Sequence, residues 1–284
     1  MGMFNLFKRR ASVSITNEQP SSDIGVALWL CPRTNTQLYD KLTTLMSSLN
    51  TLFPGQPPKF EPHITITSNI VIDLDDQSNT RETVDRILSA SATALNSLPN
   101  NHKQLVSLGK IKSQRKFFKK LYFQVEKDPN LVSLARIIRE LFVIVPTDIE
   151  EENIRQNPHL YTKNDEGKTV KRKPSKHKGG TSPPPTAVKE FDTTLIQQMA
   201  TEKAAEWSQT EFDPHLSLVY SDMHPIDNAL WMTIKTRIQD YLNVSSEELE
   251  TEGVNLGWDG GVLKLVLCEG NVNEWITLGS VDLH

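Results

Sequence analysis

Apolar and polar positions repeat along this chain with two periods. Ile24–Cys31 (IGVALWLC) is a nearly unbroken apolar run of strand length. From Thr34 to Leu52 the apolar positions Leu38, Leu42, Leu45, Leu49 and Leu52 fall three or four apart, which predicts a helix. Thr34 or Thr36 would cap it, and Pro54-Gly55 would stop it. His63–Thr67 alternates polar and apolar residues, the period of a half-buried strand. Ser78–Leu98 reads as a second helix, with Val84, Ile87, Leu88 and Leu95 along one stripe. Gln104–Gly109 and Phe117–Val125 read as strands, and Asn130–Phe142 as a helix. Asp213–Tyr220 is another strand, Pro225–Leu242 a helix opened by its proline, and Gly261–Cys268 and Glu274–Val281 closing strands. Strands and helices are interspersed in both halves, which predicts an α+β fold of two similar lobes with a cleft between them.

Thr162–Glu190 follows neither period. It holds eight Lys/Arg against three Asp/Glu, hence +5, in a chain of net charge −4, so the remainder sums to −9. With no aromatic and few aliphatic side chains, it cannot bury enough surface to offset its ordering entropy. A disordered basic insertion is therefore expected at about 150–190, as a solvated linker or as an electrostatic lead toward RNA or an acidic surface. Residues 1–23 read as a disordered tail. Residues 24–284 read as a single bilobal domain.

Composition narrows the class. A chain of 284 residues with 37% hydrophobic and 23% charged residues is expected to be soluble and globular. A net charge of −4 argues against a surface devoted to nucleic acid. No apolar run approaches the roughly 18 residues of a membrane span. The opening residues lack the apolar core of a secretory signal, so an intracellular protein is expected. Cys31 and Cys268 lie in apolar runs, where buried free thiols are expected rather than a disulfide or a zinc site.

One phrase is written twice: FEPHITIT from Phe60 and FDPHLSLVY from Phe212. Both read aromatic, acid, proline, histidine, apolar, hydroxyl, apolar. On a strand, alternate side chains share a face, so His63 goes with Thr65, and His215 with Ser217. Two imidazoles across a cleft can act as general base and general acid, because a pKa near 6.5 keeps both forms accessible. Hydroxyls beside them can donate to anionic oxygens, which makes a phosphate the natural electrophile. No clustered ligand set for a metal is visible, and no cofactor is expected.

The doubled H-x-[ST]-x phrase resembles the signature of the 2H phosphoesterase superfamily. Its flanks resemble the cyclic phosphodiesterases of plants and especially fungi. Those flanks include Trp29-x-x-Pro32 after the first strand and Ser221-Asp222-x-His224-Pro225 after the second phrase. The likeness covers about Ile24–Val145 and Phe191–Leu283. It implies a bilobal fold with antiparallel sheets related by a pseudo-two-fold axis, and metal-independent opening of cyclic phosphates. The implied substrates are nucleoside 2′,3′-cyclic phosphates and ADP-ribose 1″,2″-cyclic phosphate, a by-product of tRNA splicing. Carried over, His63 and Thr65 match one tetrapeptide and His215 and Ser217 the other, with His215 as base and His63 as acid. Likeness to fungal members further implies a Golgi location, with the cytoplasm as the alternative.

Other candidates follow from the same likeness. Trp29 matches an aromatic that can stack on a base, and Phe117 and Phe118 open a strand resembling the aromatic strand near the cleft. Tyr220 has the wrong parity to join His215 unless its strand ends or twists there. The expected partner is a small cyclic phosphate bound by a monomer, without stable nucleic-acid binding. Two further readings stand beside this one: an RNA-end-processing enzyme on the same fold, and a non-catalytic nucleotide-binding module.

Overall fold

The computed structural model of the chain describes residues 25–74, 77–99, 104–164, 167, 169–172, 188–223 and 225–283. The tail expected over residues 1–23, residues 173–187 of the expected insertion, and His224 lie outside these. In chain order the first strands and helices are β1 (Gly25–Cys31), α1 (Gln37–Asn50), β2 (Ile64–Ile70), α2 (Gln77–Asn96), β3 (Val106–Lys112), β4 (Leu121–Val125), α3 (Pro129–Arg139) and α4 (Val145–Gln156). They are followed by β5 (Tyr161–Lys163), β6 (Thr169–Lys171), α5 (Thr194–Thr210), β7 (His215–Val219), α6 (Asn228–Leu242), β8 (Leu256–Trp258), β9 (Gly261–Cys268) and β10 (Ile276–Leu283).

Helix ends follow local chemistry. Thr36 caps α1 by accepting from Tyr39 N at 3.3 Å, and Leu42, Leu45, Met46 and Leu49 are the buried stripe. Asp128 caps α3 with Pro129 in the first turn, an arrangement that satisfies orphan N–H groups and presets φ. The proline-opened helix begins three residues later than expected. Asp227 accepts from Leu230 N at 2.7 Å, and α6 starts at Asn228 behind that cap. Asn130–Phe142 is not one helix: α3 ends at Arg139, and a wider turn over Glu140–Ile144 leads directly into α4. Helix α4 and the β5–β6 hairpin lie within the first part of the stretch expected to be a disordered insertion, so that part is ordered. Packing decides this: α4 lies against α5, and Asn157, buried after α4, bonds the backbone of Lys189 through both ends of its amide.

The expected pair of lobes is present, joined into one curled eight-stranded antiparallel sheet of order β10-β9-β1-β2-β7-β4-β3-β8. Its halves meet at β2 and β7 through a single residue pair, Ile64 with Leu216. Neither half-sheet comes from one half of the chain. The first combines β1 and β2 with the closing β9 and β10, over α2 and α3; the second combines β3 and β4 with β7 and β8, over α1 and α6. Only Asp259 and Gly260 separate β8 from β9. Flat strands six steps apart would be about 29 Å distant, whereas three Cα steps reach about 11 Å. The sheet must therefore curl until its edges approach. Gly261, at φ +107, permits this, since a Cβ there would lie 2.4 Å from Cys31 O.

The core fills the space between one sheet face and the helices, with Leu28, Leu30, Ile64, Ile66, Phe123, Leu216, Leu263 and Leu265 from the strands. The other face carries a small cluster of Ala27, Trp29, Cys31, Val266 and Cys268, with Trp275 against it. Both cysteines are free and buried there. Strand parity puts the doubled phrase's histidines and hydroxyls on this helix-free face.

Candidate active site

His63 and His215 are held by the same device. Each follows a proline, and each ring Nδ1 bonds the carbonyl two residues upstream: Glu61 O at 2.7 Å for His63 and Asp213 O at 2.8 Å for His215. A carbonyl only accepts, so Nδ1 carries the proton and Nε2 is the basic nitrogen of each neutral ring. The proline locks φ midway between the paired residues. The acid of each phrase is itself anchored: Glu61 pairs with Lys264 on β9, and Asp213 with Lys119 before β4, both at 2.5 Å. Every position of the repeated acid-proline-histidine thus serves to aim an imidazole.

The seam between the half-sheets brings the two devices together. Ile64 faces Leu216. Carried one residue either way, this antiparallel register sets His63 opposite Ser217 and Thr65 opposite His215, all on the helix-free face. Directly opposed residues are about 5 Å apart at Cα, so imidazoles and hydroxyls alternate around a small square. The charge of His215 reaches His63 and disfavours its protonation.

The two imidazoles differ in burial. His63 is 5% exposed, stacks on Trp29 at 3.7 Å and 8° between planes, and meets Phe60 edge-on. Burial pushes its pKa from 6.5 down to about 4, against the pull of the Glu61 carbonyl. His215 is half-buried, with Tyr122 edge-on at 5.4 Å. Burial lowers its pKa as well, opposed by the Asp213 carbonyl; Lys119 adds to the fall and the Asp213 carboxylate offsets it.

This has a consequence for stability. An unfolded His titrates near 6.5, while folded His63 titrates at about 4. Between those values the unfolded chain holds the extra proton, so this group lowers stability as pH falls and has no effect above the unfolded value. The full loss is about 3 kcal/mol at 1.36 kcal/mol per pKa unit. Denaturant titrations should show wild type losing more stability than His63→Ala between about pH 6.5 and 4. Parallel losses would place the acid sensitivity elsewhere.

The hydroxyls are engaged unequally. Ser217 Oγ donates to Phe118 O at 2.7 Å and also lies within bonding reach of the Tyr220 phenol. Thr65 is half-buried and makes no side-chain hydrogen bond to a described residue. Trp29, expected to stack on a base, is 6% exposed with one indole face taken by His63, so it positions the imidazole. Strand β7 ends at Val219, which releases Tyr220 from the alternation that would turn it away. Tyr220 stacks on Phe60 at 3.8 Å, and burial pushes its phenol pKa up. Phe117 and Phe118 do not open a strand. They lie on a short 3₁₀ turn, Phe117–Lys119, and β4 begins after it. Phe118 meets Tyr220 edge-on at 5.0 Å.

Three participants escape sequence reasoning. Trp275, between β9 and β10, lies 5.8 Å from Trp29 and 6.0 Å from Phe118. Nothing local marks it, because its neighbours are distant in sequence. Tyr122 and Lys264 belong to strands whose pairing is long-range. Phe60 was signalled by its place in the repeated phrase. Its counterpart Phe212 packs on Trp207 at 5.4 Å, so the repeat is not symmetric at that position.

Comparison with known proteins gives the following. A family model described as cyclic phosphodiesterase-like protein matches residues 24–283. A protein of Candida albicans named 2′,3′-cyclic-nucleotide 3′-phosphodiesterase is 67% identical over 261 residues, covering 92% of this chain and all of the relative. Its namesake in Debaryomyces hansenii is 64% identical over 85% of this chain and all of its own length. Another of that name, in Saccharomyces cerevisiae, is 27% identical over 92% of this chain and all of its own.

Proposed function

The chain belongs to the cyclic phosphodiesterase-like family, and from that premise we propose that it opens nucleoside 2′,3′-cyclic phosphates to 2′-phosphates. The observation that carries this reading is the pair of identically anchored imidazoles meeting at the Ile64–Leu216 seam, with Thr65 and Ser217 on the same face. One Nε2 takes a proton from water as its oxygen attacks phosphorus. The other, protonated, gives its proton to the leaving 3′-oxygen as the P–O3′ bond breaks. One water is consumed, and the two histidines end in exchanged protonation states. The hydroxyls donate to the equatorial oxygens as charge develops there.

Burial suggests how the roles divide. His63 is deeper and harder to charge, so it is the better base in the free enzyme, and His215, which is less buried, is the better acid. This reverses the division implied by family likeness. When charged, His63 lies against the Trp29 face, whose quadrupole favours a cation.

Turnover is metal-independent in this mechanism, because the dyad makes both proton transfers. With 2′,3′-cyclic AMP, the expected product is the 2′-phosphate alone, at the same rate after exhaustive EDTA treatment. A 3′-phosphate, no product, or a rate restored only by Mg²⁺, Mn²⁺ or Zn²⁺ would overturn the reading.

Likeness to fungal members alone supports three finer proposals. The chain also opens ADP-ribose 1″,2″-cyclic phosphate to the 1″-phosphate, it serves the metabolism of tRNA-splicing by-products, and it resides at the Golgi apparatus. The cytoplasm is the alternative location. Among the described residues no helix is long and apolar enough to cross a membrane. The protein acts as a monomer in this reading.

A further inference from the structure

Residues 110–120, KIKSQRKFFKK, contain six Lys/Arg and no Asp/Glu. They link β3 to β4 and bring their charge beside the active site. Lys119 is taken by Asp213. Lys112, Arg115 and Lys120, with Gln114, Tyr122 and Trp231, line a groove of about 610 Å³ that includes neither catalytic histidine. Lys112 and Arg115 form no ion pair with a described residue, and the charge of Arg115 reaches Lys120. The Lys120 ammonium is held below its ordinary pKa by burial and by Arg115, with Asp222 offsetting part of this.

The groove is connected to the site through one side chain. Tyr122 meets His215 edge-on at 5.4 Å and also lines the groove. In register, Ser217 faces Tyr122 and Tyr122 faces Lys112, so the row runs from catalytic hydroxyl to groove cation. Two strand steps span about 10 Å. The Tyr122 phenol accepts from Gln114 Nε2 at 2.8 Å, which leaves its own proton as a donor. Pro225, Ile226 and Trp231 supply an apolar wall. Several cations, hydroxyl and amide donors and an apolar side together suit a phosphate attached to a sugar or base.

We propose that this groove binds a second phosphate of the substrate, carried on the same molecule as the cyclic phosphate and about 10 Å from it. It sets the substrate class as nucleotides bearing an additional phosphate, rather than bare cyclic nucleosides. That phosphate is either the next phosphodiester of an oligonucleotide or a terminal diphosphate. The inference rests on the hydrolytic reading above.

The test compares wild type with Lys112→Ala/Arg115→Ala on three substrates. These are 2′,3′-cyclic AMP, a dinucleotide ending in a 2′,3′-cyclic phosphate, and adenosine 5′-diphosphate 2′,3′-cyclic phosphate. The double variant should change kcat/KM for 2′,3′-cyclic AMP by less than about twofold, while losing about 10–100-fold, mainly through KM, on an extended substrate. The extended substrate with the larger loss identifies the source of the phosphate. Equal losses on all three, or no loss on either extended one, would overturn the proposal. Binding of the labelled dinucleotide is measured in parallel by fluorescence anisotropy at two salt concentrations. Failure of wild type to hydrolyse 2′,3′-cyclic AMP would remove the hydrolytic reading. The groove would then stand if the double variant binds the dinucleotide more weakly and with a flatter salt dependence, and fall if the two proteins bind alike.

Discussion

His63→Ala and His215→Ala should each lower kcat on 2′,3′-cyclic AMP by about 10²–10⁴-fold, the range expected for loss of one positioned proton-transfer group. In the proposed mechanism the two imidazoles work on one phosphorus in one event, so removing the second should add little. The double variant should be hardly slower than the slower single one. Losses that multiply would mean the histidines act in separate steps. The division of roles has its own readout. If the 3′-oxygen is replaced by sulfur, the leaving group is a thiolate, which needs no acid. His215→Ala should then recover much of its rate and His63→Ala should not; the opposite recovery would restore the division implied by family likeness.

In the same mechanism the dyad sets the pH dependence. The base must be neutral and the acid charged, so kcat/KM should be bell-shaped. Both free-enzyme pKa values lie below the ordinary 6.5, His63 at about 4, so the bell should peak on the acid side of 6.5. The two limbs belong to the coupled pair rather than to one residue each. A bound phosphate anion favours imidazolium, so the kcat bell should lie at higher pH. A flat profile from about pH 5 to about pH 8 would count against paired imidazoles.

In the proposed mechanism Thr65→Ala and Ser217→Ala should cost about 10–10³-fold in kcat/KM, because each removes a donor to a phosphate oxygen, which Ser217 supplies by turning its one O–H from Phe118 O to the substrate. Their effects on stability should differ. Ser217 already donates to Phe118 O, so its loss strands a carbonyl and should also cost about 1 kcal/mol of folding. Thr65 has no such bond, and its alanine variant should melt near wild type. Thr65→Ser should restore the rate and Thr65→Val should not. A Ser217→Ala enzyme that melts early while its folded fraction turns over normally would make that hydroxyl structural only.

Much of this site was visible along the chain. The doubled phrase shows which residues share a face, because side-chain direction on a strand depends only on parity. Its proline and acid could be read as a pattern, although their use became clear only from the carbonyl-to-Nδ1 bonds and the Lys264 and Lys119 pairs. Helix α5 was missed because its buried face is small: Ala200, Ala204 and Ser208 let it approach α3 closely but leave little hydrophobic periodicity. Helix α4 was missed because it buries no residue fully. Tyr220 could not be placed by parity, since the answer depended on where β7 ended.

The sequence by itself determined the α+β class, most of the elements, and the face shared by the four candidate residues of the doubled phrase. Each of these depends on spacing within a few residues, where backbone geometry repeats. Tertiary structure alone decided which strands pair, and so everything reached across the sheet. It placed β1 and β2 with β9 and β10, joined the two histidine strands at one residue pair, and brought Trp275, Lys264, Lys119 and Tyr122 to the imidazoles. Strand order is set by the summed burial and hydrogen bonding of segments up to 250 residues apart. Local periodicity encodes which side chains point together, and carries no information about which strand will lie beside them.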